Sequence, residues 1–155
     1  MVDEKTVAET VQYVVIQIGS EQYGIDIKYV DNIVRVQRAT RVPKVPEYIR
    51  GVINLRGEVI PIMNVRLKMN LDDVEDTKNT RIIIVKLEQQ GMVGLIVDEV
   101  KEVLTVSLED VDKVSYEKDE KSHFLSGIAK YDNRLISILD LNAVVSEEKD
   151  PAKEK

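Results

Sequence analysis

The chain has 155 residues, a formal net charge of −6 from 28 acidic and 22 basic residues, and no cysteine. The length suits one domain or two small modules with a shared core, and the missing cysteine excludes disulfides, thiol chemistry and cysteine metal sites. The acidic balance opposes non-specific binding to nucleic acid, which depends on lysine and arginine against phosphates, and no apolar run reaches the roughly 20 residues of a membrane span. Residues 1–10 are polar and are predicted to be a flexible N-terminus, not a signal peptide.

β-Branched and alternating segments predict a mainly β chain. In chain order the first half has predicted strands at 13–18 and 23–27, a short helix at 28–34, a basic loop at 36–45, a hairpin within 45–63 and a helical turn at 64–69. After an acidic loop at 70–79, the second half has predicted strands at 81–87, 92–97 and 101–106, a charged loop at 109–122, a hairpin of 124–131 with 134–139, and a short helix at 141–145. Residues 146–155 are charged and are predicted to form a disordered tail.

The densest apolar segment, 45–69, is interpreted as a hairpin whose two-residue loop is Arg56-Gly57. Strand alternation then places four apolar side chains on one face, namely Ile53, Leu55, Ile60 and Ile62. The loop is predicted to be a type I′ turn, which arginine fits poorly, or a type I turn with a bulge at Gly57. Pro61 lacks an N–H donor, which predicts an edge strand or a bulge.

Two parts of the chain resemble each other. The segment YIRGV at 48–52 matches FLSGI at 124–128, 76 residues apart, and at the same offset Asn64 matches Asp140 as the cap of a short helix. The segment GIDI at 24–27 also matches GLIV at 94–97. Many short strands in two copies predict two small β-barrels, at 11–78 and 79–145, whose strands are free to interleave. Each is too small for a large core, so the two are expected to pack on one another.

The segment GVINLRGEVIPIMNVR at 51–66 resembles the signature of the CheW family, and GIAKYDNRLISILDL at 127–141 is similar to that family's second-half hairpin. The resemblance extends over about 13–145. It implies two SH3-like five-stranded β-barrels packed on a shared hydrophobic interface, with short helices. It also implies a non-enzymatic adaptor without a cofactor or direct membrane insertion. Such an adaptor links the cytoplasmic helical tips of chemoreceptors to the regulatory domain of the histidine kinase CheA, in the cytoplasm at membrane-associated receptor arrays.

The same resemblance implies particular site residues. Positions similar to the lining of the family's receptor-binding groove are Val14, Ile27, Val30, Ile33, Val100 and Val103. On the predicted helix, Val30 and Ile33 would form one apolar stripe for a partner helix, although barrel core residues would look the same. Arg56 is similar to the family's partner-contact arginine, or is a solvated turn residue. The kinase contact is expected near 41–45 and 121–124, with Arg41, Lys44 and Phe124 as candidates.

Two other classes of function, a hydrolase and a nucleic-acid-binding protein, fit the sequence less well than an adaptor does. With His123 as its single histidine and no cysteine, the chain lacks the usual pairings for general-base and nucleophilic catalysis. The phosphate-loop, dinucleotide-binding and zinc-protease motifs are also absent from the sequence. A hydrolase would need a carboxylate pair such as Asp26 with Asp98 in one cleft. The alternative of a small-barrel nucleic-acid-binding protein is disfavoured by the acidic charge and the scarcity of stacking aromatics.

Overall fold

The computed structural model describes residues 9–113 and 123–146, and within them the chain is mainly β, as predicted. The strands are β1 (Thr10–Ile18), β2 (Glu21–Asp26), β3 (Val30–Arg35), β4 (Ile49–Leu55), β5 (Glu58–Asn64), β6 (Arg81–Leu87), β7 (Gly91–Val97), β8 (Glu99–Ser107), β9 (Val111–Lys113), β10 (Leu125–Tyr131) and β11 (Arg134–Leu139). Two short helices, α1 (Val65–Lys68) and α2 (Leu141–Val145), follow β5 and β11. Residues 1–8 of the predicted flexible start (1–10), 147–155 of the predicted tail (146–155) and 114–122 of the predicted charged loop (109–122) lie outside the described residues, whereas Thr10 already belongs to β1.

The strands form two sheets, which we name barrel 1 and barrel 2. Among the described residues, barrel 1 has six strands in the order β8-β1-β2-β11-β10-β9, one more than predicted, because part of the predicted loop 109–122 forms β9. Barrel 2 has the predicted five, in the order β3-β6-β7-β5-β4. Barrel 2 is further closed by a bridge between Thr40 and Val52. Each barrel therefore takes strands from both sides of residue 78, and a division of the chain there does not separate the two sheets. The halves interleave through two parallel pairs, β2 with β11 and β5 with β7, and through two antiparallel pairs, β1 with β8 and β3 with β6.

The parallel pairs show how the internal repeat is built into the fold. Gly24 lies opposite Ile138 in barrel 1, and Gly94 lies opposite Ile62 in barrel 2. A Cβ atom on Gly94 would lie 2.5 Å from Ile62 Cδ1, whereas one on Gly24 would lie 3.0 Å from Ile138 Cδ1. In both copies, glycine thus leaves space for an isoleucine of the neighbouring parallel strand, and the fit is tighter in barrel 2.

The buried side chains of the described residues form three clusters, one inside each barrel and one between them. Strand β1 shows the cause, because alternate side chains point to opposite faces. Tyr13 and Val15 point into barrel 1, whereas Val14 and Ile16 point towards barrel 2. The cluster between the barrels, which we name the shared core, is built from Val14, Ile16, Ile18, Ile25, Met63, Val65, Ile83, Val85, Leu87, Val93, Leu95, Val97, Phe124, Leu139, Leu141, Val144 and Val145. The predicted apolar interface between two barrels is therefore present.

The predicted central hairpin is confirmed by the register of β4 and β5, in which Leu55 pairs with Glu58 and Ile53 with Ile60. Arg56 and Gly57 both have positive φ angles, 54° and 84°, so the loop is of the I′ kind despite its arginine. The Asn54 side chain stabilises this turn by accepting a hydrogen bond from Gly57 N at 3.1 Å.

The prediction that Pro61 marks an edge strand or a bulge is wrong. Strand β5 lies between β4 and β7 in barrel 2. Pairing of β5 with β7 begins only at Ile62, and Val52, opposite Pro61, donates its N–H to Thr40. The missing N–H of Pro61 therefore falls at a position that no ladder bond uses.

The caps of the two short helices follow the prediction. Asn64 Oδ1 accepts from Leu67 N and Asp140 Oδ1 accepts from Ala143 N, both at 3.2 Å. The helix predicted at 28–34 is wrong. That segment is a single 3₁₀ turn, Ile27–Tyr29, followed by strand β3, because its β-branched residues fit a strand better than a helix.

Candidate docking surfaces

Five of the six residues predicted to line a groove are exposed or half buried. On barrel 1, Val100 and Val103 of β8 pair with Ile16 and Val14 of β1, on the face that meets barrel 2. On the barrel 2 side, the 3₁₀ turn and β3 contribute Ile27, Val30 and Ile33. We name these five residues, Ile27, Val30, Ile33, Val100 and Val103, the inter-barrel groove. Because Val30 and Val100 pack against the shared core and the other three are 37% to 50% exposed, an apolar partner could cover them.

A β-bulge gives Val30 and Ile33 a common face although they are three residues apart on a strand. Val30 pairs with Val85 and Ile33 pairs with Ile83, with a register shift between Val30 and Asn32. Both partners belong to the shared core, and directly opposed residues in a sheet lie on the same face. The bulge therefore produces the spacing that the sequence suggested for a helix.

Val14, predicted as part of the groove, has a different place. Its side chain is only 1% exposed and lies within the shared core. It pairs with Val103, and thus supports an exposed groove residue from below. Val14 cannot itself be touched by a partner in this structure.

A second apolar surface lies on barrel 2. It is an open depression with a cavity volume of about 570 Å³, lined by Val42, Val45, Pro46, Tyr48, Ile49, Val52, Pro61, Met63, Gln90, Val93 and Val145. We name it the barrel 2 depression. The loop that supplies Val42 and Val45 also carries Arg38, Arg41 and Lys44, which are exposed. None of these three cations forms an ion pair within the described ranges 9–113 and 123–146, so their charge is available to a partner.

Phe124, a candidate kinase contact, is 2% exposed and belongs to the shared core. Its ring meets His123 edge-on, with ring centroids 4.7 Å apart, and its carbonyl accepts from Asp140 N at 2.8 Å. These contacts give Phe124 a structural role and make direct contact with a partner impossible here. The neighbouring prediction at 121–122 lies outside the described residues.

Arg56 lies at the exposed tip of the β4–β5 hairpin. In the described part of the chain its guanidinium has neither a hydrogen bond nor an ion pair. The positive φ of Arg56 also shows that the turn tolerates arginine at some conformational cost. The side chain is therefore placed as a free positive charge, consistent with either of the two predicted roles.

An ion pair between the barrels was not predicted from the sequence. Arg66, in α1, donates from Nε to Asp98 Oδ1 at 2.9 Å and from Nη2 to Oδ2 at 2.7 Å. Asp98 lies between β7 of barrel 2 and β8 of barrel 1, and its Oδ2 also accepts from Gly19 N at 2.8 Å in the β1–β2 turn. Burial alone would raise the pKa of Asp98, but the hydrogen bonds from Arg66 and Gly19 outweigh it and lower the pKa. No sequence signal marks this pair, because its members are 32 residues apart.

Asp26 and Asp98, the carboxylate pair considered for a hydrolase, are engaged separately. Asp26 caps the 3₁₀ turn by accepting from Lys28 N at 3.0 Å, whereas Asp98 is bound by Arg66. Two hydrogen bonds hold the acidic loop at 70–79 against barrel 2. Arg50 Nη1 donates to Asp76 Oδ2 at 2.8 Å, and Asn64 Nδ2 donates to Asp73 Oδ1 at 2.8 Å. These carboxylates therefore stabilise the fold.

The fold is a two-barrel module with one shared core, and apolar side chains are exposed both among the five residues of the inter-barrel groove and at the barrel 2 depression. The family model described as the CheW-like domain matches residues 12–149. The chemotaxis protein CheW of Bacillus subtilis (strain 168) is 39% identical over 137 residues, which cover 87% of this chain and 86% of that protein. The chemotaxis protein CheW of Thermotoga maritima is 31% identical over 133 residues, covering 84% and 85%. The chain belongs to the CheW-like family.

A solved structure gives the same result in three dimensions. The crystal structure of scaffolding protein TtCheW from Thermoanaerobacter tengcongensis has a TM-score of 0.81 to this chain at 33% identity, and the match covers 92% of this chain and 97% of that one. The family, the two-barrel fold and the resemblance noted from the sequence are thus confirmed. The nucleic-acid-binding alternative receives no support from these relatives. In the part of the chain that the structure describes, no helix is both long enough and apolar enough to cross a membrane.

Proposed function

We propose that this chain is a non-catalytic chemotaxis adaptor that couples chemoreceptors to the histidine kinase CheA, in the cytoplasm at receptor arrays. Membership of the CheW-like family supports this function, as do relatives described as chemotaxis and scaffolding proteins. The observation that carries the proposal is the presence of two distinct exposed apolar surfaces, the inter-barrel groove and the barrel 2 depression, on one two-barrel body. An adaptor needs such a pair, since it must hold two partners at once.

The inter-barrel groove is the surface for the helical tip of the receptor. An amphipathic helix presents one apolar stripe along its length, and Ile27, Ile33 and Val103 offer exposed apolar area to such a stripe. Peptide helices dock into grooves of this kind through a few apolar anchors. Val30 and Val100, half buried at the base, would complete the lining.

The barrel 2 depression is the surface for the regulatory domain of CheA. Its apolar lining suits a barrel face of the partner, and Arg41 and Lys44 on the adjoining loop supply charge at its margin. Apolar centres with charged margins are typical of specific protein interfaces, where the margin steers association and orientation. Arg56, at the tip of the hairpin, is a further partner contact.

The adaptor couples receptor and kinase because one molecule holds both of them at the same time. When one partner is bound at each surface, the kinase stays at the receptor at a high effective concentration, so the two contacts can each be weak. No group of this chain has to react for that purpose.

Calorimetry with two separate partners tests the proposal. We expect the wild type to bind a receptor tip fragment and the isolated regulatory domain of CheA independently, and to form a ternary complex with both. Ile33→Asp should weaken receptor binding about tenfold or more, because it places a charge against an apolar helix, and should leave kinase binding unchanged. Val59→Asp is the matched control, since Val59 is an exposed apolar residue outside both surfaces. Equal loss of receptor binding in both variants would refute the groove assignment.

A further inference from the structure

A buried lysine lies at the end of α1. Lys68 is only 4% exposed, and burying an amino group costs free energy unless partners compensate. The internal repeat supplies a comparison, because the offset that relates the caps Asn64 and Asp140 relates Lys68 to Val144. Val144 is fully buried in α2. The same place in the repeat is therefore filled by an apolar side chain in the other copy, so a short capped helix of this fold does not itself require a cation there.

The contacts of Lys68 explain its position. Its Nζ donates a hydrogen bond to the carbonyl oxygen of Ser146, the residue that follows α2 as its C-cap. The same nitrogen lies 4.4 Å from the centroid of the Tyr48 ring, within the range of a cation–π interaction. Tyr48 and Val145, the residue before Ser146, both line the barrel 2 depression. One side chain thus holds together two walls of that surface that are far apart in the sequence.

We propose that Lys68 is a positioning residue for partner docking at the barrel 2 depression. It fixes the ring of Tyr48 and the carboxyl end of α2 at the spacing that the partner meets. A surface fixed before binding loses less conformational freedom on association and so binds more tightly. This inference rests on the proposed function of the depression, and it adds the residue that sets its shape.

The test compares Lys68→Met with Lys130→Met. The first substitution removes the ammonium group but keeps a long apolar stem, and the second removes an exposed lysine on barrel 1 that pairs with Asp112. We expect Lys68→Met to weaken binding of the CheA regulatory domain about three- to tenfold, with receptor-fragment affinity unchanged and the unfolding temperature within a few degrees of wild type. A merely structural lysine would lower the unfolding temperature and affect both partners alike. Lys130→Met should change neither affinity.

Hydrogen exchange and NMR on the free protein test the positioning without any partner. In Lys68→Met, the amides at the end of α2 should exchange faster and the ring resonances of Tyr48 should shift. Unchanged exchange and unchanged ring resonances would overturn the inference, as would unchanged affinity for the kinase domain. If the wild type failed to bind the kinase domain at all, the proposed function of the depression would fail first, and the exchange result would show separately whether Lys68 orders its walls.

Discussion

Replacing Asp98 by asparagine should destabilise the protein, because it removes the carboxylate that joins the two barrels. An amide oxygen at the Oδ2 position can still accept from Gly19 N and from Arg66 Nη2, but the bond from Arg66 Nε to Oδ1 is lost, and with it the negative charge that pairs with the guanidinium. Arg66 keeps its hydrogen bond to the carbonyl of Asp72. The perturbation is therefore limited to one ion pair and leaves the turn contact in place.

The expected size follows from the exposure of the pair. Side chains of Arg66 and Asp98 are 18% and 25% exposed, so the pair lies between a surface salt bridge, worth about 0–1 kcal/mol, and a buried pair, whose disruption costs about 3–5 kcal/mol. We expect Asp98→Asn to lower the free energy of unfolding by about 2 kcal/mol. For a chain of this length, that is a fall in unfolding temperature of about 4–8 °C. Asp26→Asn is the control, because its ion pair with Lys28 is long, at 4.0 Å, and the lysine is 66% exposed. It should change stability by less than about 0.5 kcal/mol.

The effect should depend on pH in a defined direction. Because the pKa of Asp98 is lowered in the folded state, its stabilisation is fully present above the ordinary aspartate pKa of about 3.9. It is lost as the pH falls through the lower folded-state pKa. Urea unfolding of wild type and Asp98→Asn, from pH 7 down to pH 3, should show a difference that shrinks towards acid. A difference that is absent at pH 7, or that stays constant down to pH 3, would refute the argument.

Two further predictions concern the repeat and the acidic loop. Gly94→Ala should lower the free energy of unfolding, measured with urea, by about 2 kcal/mol, because the added Cβ would overlap Ile62 and Ile82 in a filled core. Gly24→Ala should lower it by less, because the contacts of its Cβ would be longer. Equal losses would mean that the two copies pack alike. Arg50→Met releases Asp76, so it should speed proteolytic cleavage within 70–79. It should lower the free energy of unfolding by less than about 1 kcal/mol. An unchanged cleavage rate would show that the other contacts hold this loop.

Features set by local chemistry were predictable from the sequence, and features set by distant contacts were not. The register of the β4–β5 hairpin follows from alternation around Gly57, and the caps Asn64 and Asp140 follow from their position before short apolar turns. The spacing of Val30 and Ile33 predicts a helix and this is wrong, since a bulged strand gives the same apolar pattern.

The residues of the candidate site likewise divide into those that could be predicted from the sequence and those that depend on distant contacts. Exposed groove residues such as Ile27, Ile33 and Val103 could be proposed by resemblance, whereas the burial of Val14 and Phe124 could not, because it depends on how two barrels meet. The partners of Lys68 and Asp98 come from elements far along the chain. Apolar alternation gives each strand two faces, and only the packing of the sheets decides which face stays open to a partner.

The interleaved topology predicts that the two barrels cannot fold apart. Among the described residues the shared core holds 17 buried side chains, against seven inside barrel 1 and six inside barrel 2. Strands β1 and β2 need β8 and β11, which lie beyond residue 98, so a fragment of residues 1–78 lacks most of barrel 1. We therefore expect one cooperative unfolding transition for the whole chain, with matching calorimetric and van't Hoff enthalpies, and an unfolded spectrum for the fragment. Two resolved transitions, or a folded fragment, would show that the barrels are independent and that contact across the shared core is not what joins the two docking surfaces into one adaptor.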